Sequence, residues 1–285
     1  MKTYLTLSAI ALAAAATLSS GAMAQTAPAD VPSVTITPNI GITSDYRFRG
    51  ISQNNREAAL QGGVDIVFKE GFYLGTWASK VSDWAAGPKG NNYELDLYGG
   101  YKTEVSGIGL DLGVITYNYP GSKTGSLTGK DYKSNTQEVY VGLTYGIATL
   151  KTSYVVGKNY FASTCDNTGK CHDASGTIYY DLTLAKEIAP KLTASAHAGY
   201  TDHKLDGKYS SGAFGTGSDQ GKFSYADYNV GLTYDYQGFL ISGKYHWNDL
   251  NKGTKYYANA AAADYGNGKA NLYNNAFVVS VVKAF

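Results

Sequence analysis

Beyond residue 33 the chain is organised by a two-residue alternation of apolar and polar positions. Ile108, Leu110, Leu112 and Val114 alternate with Gly109, Asp111 and Gly113. Val139, Val141, Leu143 and Tyr145 alternate with Glu138, Tyr140, Gly142 and Thr144. Phe239, Ile241, Tyr245 and Trp247 share a third stretch with Ser242, Lys244, His246 and Asn248. Successive side chains of a strand point to opposite faces, so this period predicts β-strands. No helical period of comparable length competes with it in that part of the chain.

The connections then decide between β architectures. Five are very short, at residues 69–71, 106–107, 146–147, 189–190 and 237–238, and each carries a turn-forming residue. They alternate strictly with six longer polar connections, near 50–57, 82–92, 120–135, 159–175, 204–222 and 249–274. That rhythm predicts about twelve antiparallel strands, with both termini at the short-turn end. It is the pattern of an up-and-down transmembrane β-barrel with short periplasmic turns and long extracellular loops. At roughly 10 residues per membrane strand, residues 34–285 hold the barrel and its loops comfortably.

A soluble sandwich also alternates, but its exposed face carries many Lys and Glu. Here the second face holds Gly, Ser, Thr, Asn and sparse charges, as a barrel interior does. Composition agrees: 16% of residues are charged, with 34 Gly and 26 Tyr, whereas ordinary globular chains are roughly 25% charged. Mean hydropathy of −0.24 and the lack of a long apolar run after the N-terminus exclude a helical membrane bundle. A net charge of +1 gives no footprint for nucleic acid. Tyr117 and Tyr119, Tyr234 and Tyr236, and Tyr245 with Trp247 lie towards strand ends, where aromatic side chains anchor at membrane interfaces.

The N-terminus reads as an export signal. Lys2 precedes an apolar stretch from Tyr4 to Leu18, and Ala22, Met23 and Ala24 form a small-x-small cleavage site before Gln25. Residues 1–24 are thus expected to be a signal peptide and 25–33 a flexible periplasmic leader. Export exposes Cys165 and Cys171 to oxidising conditions, and the intervening Asn167, Thr168 and Gly169 can turn the chain back, so a local disulfide is expected. A metal site with His172 and Asp173 fits less well, because the cysteine spacing exceeds the usual zinc pattern. The terminal Phe285 on an alternating strand resembles the signal read by the barrel-assembly machinery during biogenesis. Lys283 departs from the usual apolar residue there, and snorkelling accommodates it.

Residues 44–53 (SDYRFRGISQ) resemble the opening hallmark of the TorF family of outer-membrane porins. Support follows in residues 61–65 (QGGVD), 71–79 (GFYLGTWAS) and 94–101 (ELDLYGGY), so the strong motifs cover roughly residues 39–105. The resemblance implies a barrel in the cell outer membrane, surrounded by its lipid and passing small hydrophilic solutes or ions. It brings no substrate and no catalytic residue, and no cofactor or metal is implied.

Candidate functional residues come from the polar face. In the first strand Asp45, Arg47 and Arg49 share one face and Tyr46 and Phe48 the other; the charged face is expected to point inward and the aromatic one to lipid, because an Arg or Lys at mid-depth on the lipid side costs about 2–4 kcal/mol. The same alternation directs Asp65, Glu94, Asp96, Lys102, Asp111, Glu138, Lys151, His197, Lys244 and His246 inward. Two readings compete: opposed charges lining a water-filled pore, or an internal salt-bridge network that plugs a structural or adhesive barrel with partner-binding loops. Ser195, His197 and Asp227 fall short of a hydrolytic triad on sequence, since geometry defines such a triad. With Thr193 and Thr201 they read as a polar lumen stripe, and catalysis is not expected.

Overall fold

The structure, a computed structural model, describes residues 33–82, 85, 92–121, 124–125, 131–132, 135–161, 172–206, 223–250 and 272–285. The expected signal peptide, nearly all of the leader, and both cysteines lie outside the described residues. The strands in chain order are β1 (Val34–Thr43), β2 (Arg47–Phe48), β3 (Ile51–Ser52), β4 (Ala59–Phe68), β5 (Phe72–Lys80) and β6 (Tyr93–Val105). They continue with β7 (Ile108–Asn118), β8 (Thr124–Gly125), β9 (Asp131–Tyr132), β10 (Thr136–Tyr145) and β11 (Ala148–Val155). The last five are β12 (Ile178–Ala189), β13 (Leu192–Asp202), β14 (Tyr225–Tyr236), β15 (Phe239–Asn248) and β16 (Ala276–Ala284).

Twelve of them form one closed antiparallel barrel in the order β1-β16-β15-β14-β13-β12-β11-β10-β7-β6-β5-β4. Closure falls on β1, which pairs Val34 with Phe68 of β4 on one side and Thr43 with Ser280 of β16 on the other. A closed sheet leaves no free edge, so every strand spends its backbone hydrogen bonds within the barrel. β2 and β3 form a separate small hairpin, and β8 pairs with β9.

The short connections gather at one end with the start of β1 and the C-terminus, as the alternation predicts. Ser106 and Gly107 have φ of 54° and 80°, and Gln237 and Gly238 have 53° and 79°. Two consecutive left-handed residues match the type I′ hairpin, whose twist suits the flanking strands. The outer wall is apolar: Leu60, Val114 and Phe277 are 61%, 56% and 65% exposed. A belt of this kind around a closed sheet is stable against lipid, not against water. Exposed aromatics mark both rims, with Tyr145, Tyr234, Tyr236 and Phe239 near the short turns and Tyr154, Tyr180, Tyr200 and Tyr245 near the other end.

Two expectations about orientation are corrected. Tyr117 and Tyr119 are not interfacial anchors; both are buried inside the barrel, where their hydroxyls meet Glu138 and Glu94. Nor do residues 45–49 continue the first strand. β1 stops at Thr43, and Tyr46 and Phe48, expected to face lipid, are buried within the lumen. The physical cause is local. At Ser44 the alternation persists in sequence, but Arg49 and Gly50, at φ 47° and 78°, fold the chain back into a tight hairpin. Alternation alone does not reveal that turn.

Candidate functional site

A barrel of about eight strands is filled by side chains, whereas one of sixteen or more encloses a channel. Twelve strands fall between these cases, so what occupies the lumen becomes the functional question. The inward charges sort into two tiers. Asp65, Lys102, Asp111 and Lys151 each stand three residues from a short-turn end of their strand. Glu94, Asp96, Glu138, Asp181, Asp227 and His246 lie close to the opposite end.

The tier near the short turns is built on tyrosines laid against the wall. Tyr98 faces Gly75, Tyr73 faces Gly100 and Tyr140 faces Gly113, each directly across a strand pair. A Cβ on any of these glycines would run into the tyrosine opposite. In these three pairs the missing side chain lets the ring lie flat. The hydroxyls then bind charges, Tyr98 donating to Asp65 at 2.6 Å and Tyr73 to Asp111 at 2.7 Å. Lys151 places its ammonium 3.7 Å from the centre of the Tyr140 ring, and Lys102 approaches Asp111 at 3.8 Å. The Lys102 side chain keeps 46% of its surface exposed, so solvent reaches the lumen at this point.

The other half is filled by the hairpin β2–β3 and its flanks. Asp45 receives Arg47 Nε at 2.8 Å and the Ser52 hydroxyl at 2.6 Å, which ties the base of the hairpin together. Tyr46 donates to Glu94 at 2.8 Å and sets its ring edge-on to Trp77 at 5.4 Å. Tyr119 donates to the second oxygen of Glu94 at 2.7 Å. Phe48 packs on Tyr117 and Phe161. Burying Tyr46, Phe48 and Ile51 contributes about 1.5–3 kcal/mol each.

The hairpin tip crosses to the far wall. In the ring order β11 stands opposite β1, and the tip meets the strands that flank β11. Arg49 donates through Nη2 to Glu138 of β10 at 2.8 Å and through Nη1 to the Tyr160 hydroxyl at 2.9 Å. Its guanidinium carbon sits 4.2 Å from the centre of the Tyr179 ring of β12. The Arg49 carbonyl accepts from Tyr225, and the Gly50 carbonyl from Asn248 and Arg47. Gly50 is required twice over, by its positive φ and by Asp227, which a Cβ would strike. A left-handed Arg stores about 1 kcal/mol or more, so the contacts at the tip must exceed that cost.

His197, another sequence candidate, clamps three strands. Its Nε2 faces Asp227 at 3.1 Å and its Nδ1 faces Asp181 at 3.3 Å. Both ring nitrogens are engaged by these carboxylates, and among the described residues the Ser195 hydroxyl has no hydrogen-bond partner. Lys244 and His246 stand on the inner face of β15, opposite Gly231 and Asn229. His203, just past β13, is buried between Tyr160 and Phe223, and its Nδ1 accepts from the Leu205 amide at 3.1 Å. Burial pushes its pKa down to about 4, against a smaller opposing pull from Asp206.

The structure thus brings Arg49 to Glu138, Arg47 to Asp45, and Lys102 to Asp111. It leaves Glu94 and Asp96 without a cation at salt-bridge distance among the described residues. Sequence reasoning missed Asp181, the wall tyrosines Tyr73, Tyr98, Tyr140 and Tyr179, and Tyr160 in the connection after β11. The signal for Tyr73, Tyr98 and Tyr140 was an inward Tyr with a Gly in the neighbouring strand, which is visible only once register is known.

The fold and its apolar belt define a transmembrane β-barrel. The chain belongs to the family described as "Bacterial protein of unknown function (Gcw_chp)", whose model matches residues 26–285. No curated protein matches it. Similar solved structures include the NanC porin, at 11% identity and TM-score 0.48, covering 87% of this chain and 98% of that one. The KdgM porin, solved in complex with disordered oligogalacturonate, shares 8% identity at TM-score 0.47, covering 88% and 98%. The outer membrane protein OprD from Pseudomonas aeruginosa shares 14% identity at TM-score 0.38, covering 80% of this chain and 59% of that one. At such identities the likeness concerns the barrel and not its cargo.

Proposed function

We propose that this protein is an outer-membrane channel for passive diffusion of small hydrophilic solutes or ions, closed in its resting state by the hairpin of residues 44–53. The observation that carries this reading is the contrast between the two halves of the lumen. One half is polar and reached by solvent at Lys102; the other is stopped by one short hairpin whose strands, β2 and β3, take no part in the barrel ladder. The resemblance of residues 44–53 to the TorF porins supports the same reading. Asp45, Arg47 and Arg49 then belong to the closure, while Asp65, Lys102, Asp111 and Lys151 line the path. Once the hairpin leaves, Glu94, Asp96 and Glu138 line the exit and favour cations.

Single-channel recording in planar bilayers tests it. The parent protein should show brief or rare conductance steps, and Arg49→Ala should show sustained ones. The cation preference of Arg49→Ala should strengthen at low salt, where fixed charges are less screened. The second reading is a structural or adhesive barrel with a permanent plug. It is favoured by the near-complete burial of Asp45, Arg47 and Arg49, and it predicts no conductance from either protein.

A further inference from the structure

The place filled by Arg49 is built as a receptor for a cation. Its wall comes from the barrel strands and one connection: the Glu138 carboxylate of β10, the Tyr179 ring of β12, and Tyr160 just past β11, whose hydroxyl accepts from the guanidinium and whose ring lies 5.7 Å from it. A buried carboxylate with flanking aromatic faces is the combination that recognises guanidinium and ammonium groups. The resident cation fills it imperfectly. Among the described residues, Arg49 Nε and Glu138 Oε1 are both buried without a hydrogen-bond partner, and Asp96 Oδ1 is a third such atom. The resident also holds a left-handed backbone at φ 47°.

Charge points the same way. Arg47 is paired within the hairpin to Asp45, so Arg49 is the one hairpin cation turned towards Glu138. The wall contributes Glu94, Asp96 and Glu138, all buried. Withdrawing the hairpin therefore leaves an acidic, aromatic pocket on the exit path.

We infer that the Glu138–Tyr160–Tyr179 pocket is a binding site for small organic cations bearing a guanidinium or primary amine, and that Arg49 is its displaceable internal occupant. A cationic solute that satisfies Glu138 competes with Arg49 and shifts the hairpin outwards, so the solute promotes its own passage. The displacement rests on reading the hairpin as the closure of a channel; the pocket itself does not.

The probe is agmatine, which carries one guanidinium and one amine, used with the refolded full-length protein in detergent micelles. Calorimetric titration should show Arg49→Ala binding agmatine at least tenfold more tightly than the parent, because the internal competitor is gone. Arg49→Lys, which keeps the charge but loses the planar fork, should fall between them and serves if Arg49→Ala folds poorly. Adding Glu138→Gln to either variant should abolish binding. In the parent carrying Ser52→Cys, agmatine should speed thiol labelling of the hairpin at least tenfold, whereas sodium chloride of equal ionic strength should not.

Undetectable agmatine binding to both arginine variants, or binding indifferent to Glu138→Gln, overturns the pocket. Equal acceleration of labelling by sodium chloride overturns the displacement. Failure of the channel reading looks different: Arg49→Ala would bind agmatine yet pass no current. Conversely, current through Arg49→Ala without agmatine binding would sink the cation site and leave the channel standing.

Discussion

The guanidinium of Arg49, at the tip of a hairpin that leaves the barrel after β1, donates to the carboxylate of Glu138 on the far wall at 2.8 Å, and both side chains are almost fully enclosed. This single ion pair spans the lumen. It joins a segment outside the barrel ladder to a strand inside it, so the two can be separated without opening the sheet.

Glu138→Gln should loosen the hairpin and spare the barrel. Removing one partner of a buried pair costs about 3–5 kcal/mol, and here the loss falls on docking of residues 44–53. At about 1.4 kcal/mol per decade, labelling of Ser52→Cys should accelerate about 100-fold or more. Strand content by circular dichroism should stay unchanged. An unchanged labelling rate would show that the pair does not hold the hairpin.

Gly113→Ala should be costly and Gly142→Ala cheap. A Cβ at Gly113 meets the Tyr140 ring, while at Gly142 it finds Asp111 Cβ at an ordinary 3.4 Å. Overpacking of this kind costs about 1–3 kcal/mol. Urea unfolding of the two variants in detergent should differ by that order. Equal midpoints would refute the ring-over-glycine account.

His203 should make the loop end acid-labile. Its folded pKa is lowered to about 4 by burial, against about 6.5 unfolded. Above about pH 7.5 both states are neutral and the group contributes almost no pH dependence. As pH falls from 6.5 towards 4 the unfolded state takes up the proton first, and stability is lost. At pH 5 the loss is about 2 kcal/mol relative to pH 7.5. His203→Phe should remove that component, and urea titrations at the two pH values check it. A wild-type loss that persists in full in the variant would assign it elsewhere.

Deleting Phe285 should lower the folded yield. Its amide donates to the Pro38 carbonyl at 3.0 Å, just beyond the last β1–β16 pair, and its ring is exposed on the lipid side. The amount of heat-modifiable protein in the outer membrane should fall while export continues, and Phe285→Tyr should restore it. Normal yield after deletion would mean that assembly does not read this residue.

The alternation of Ile108 to Val114 and of Val139 to Tyr145 was enough to give strands, and the strict alternation of short and long connections gave twelve of them. Lumen-facing positions such as Asp111, Glu138 and Lys151 followed from parity. Parity failed wherever the chain turned without a break in its pattern, at Arg49 and Gly50. It also failed to tell an inward tyrosine from an interfacial one at Tyr117 and Tyr119.

What the sequence determined alone is therefore local and periodic: which residues are strand, which face is apolar, and where the tight turns fall. Those follow from backbone geometry and from the two-residue period, and neither needs to know what lies across the barrel. What only the tertiary structure decided is which partners meet. Arg49 finds Glu138, His197 finds Asp181 and Asp227, and Tyr140 finds Gly113 only after strand register is set and the sheet has closed on itself. Register is a property of the whole ring, because each pairing fixes the next and closure through β1 must satisfy them all.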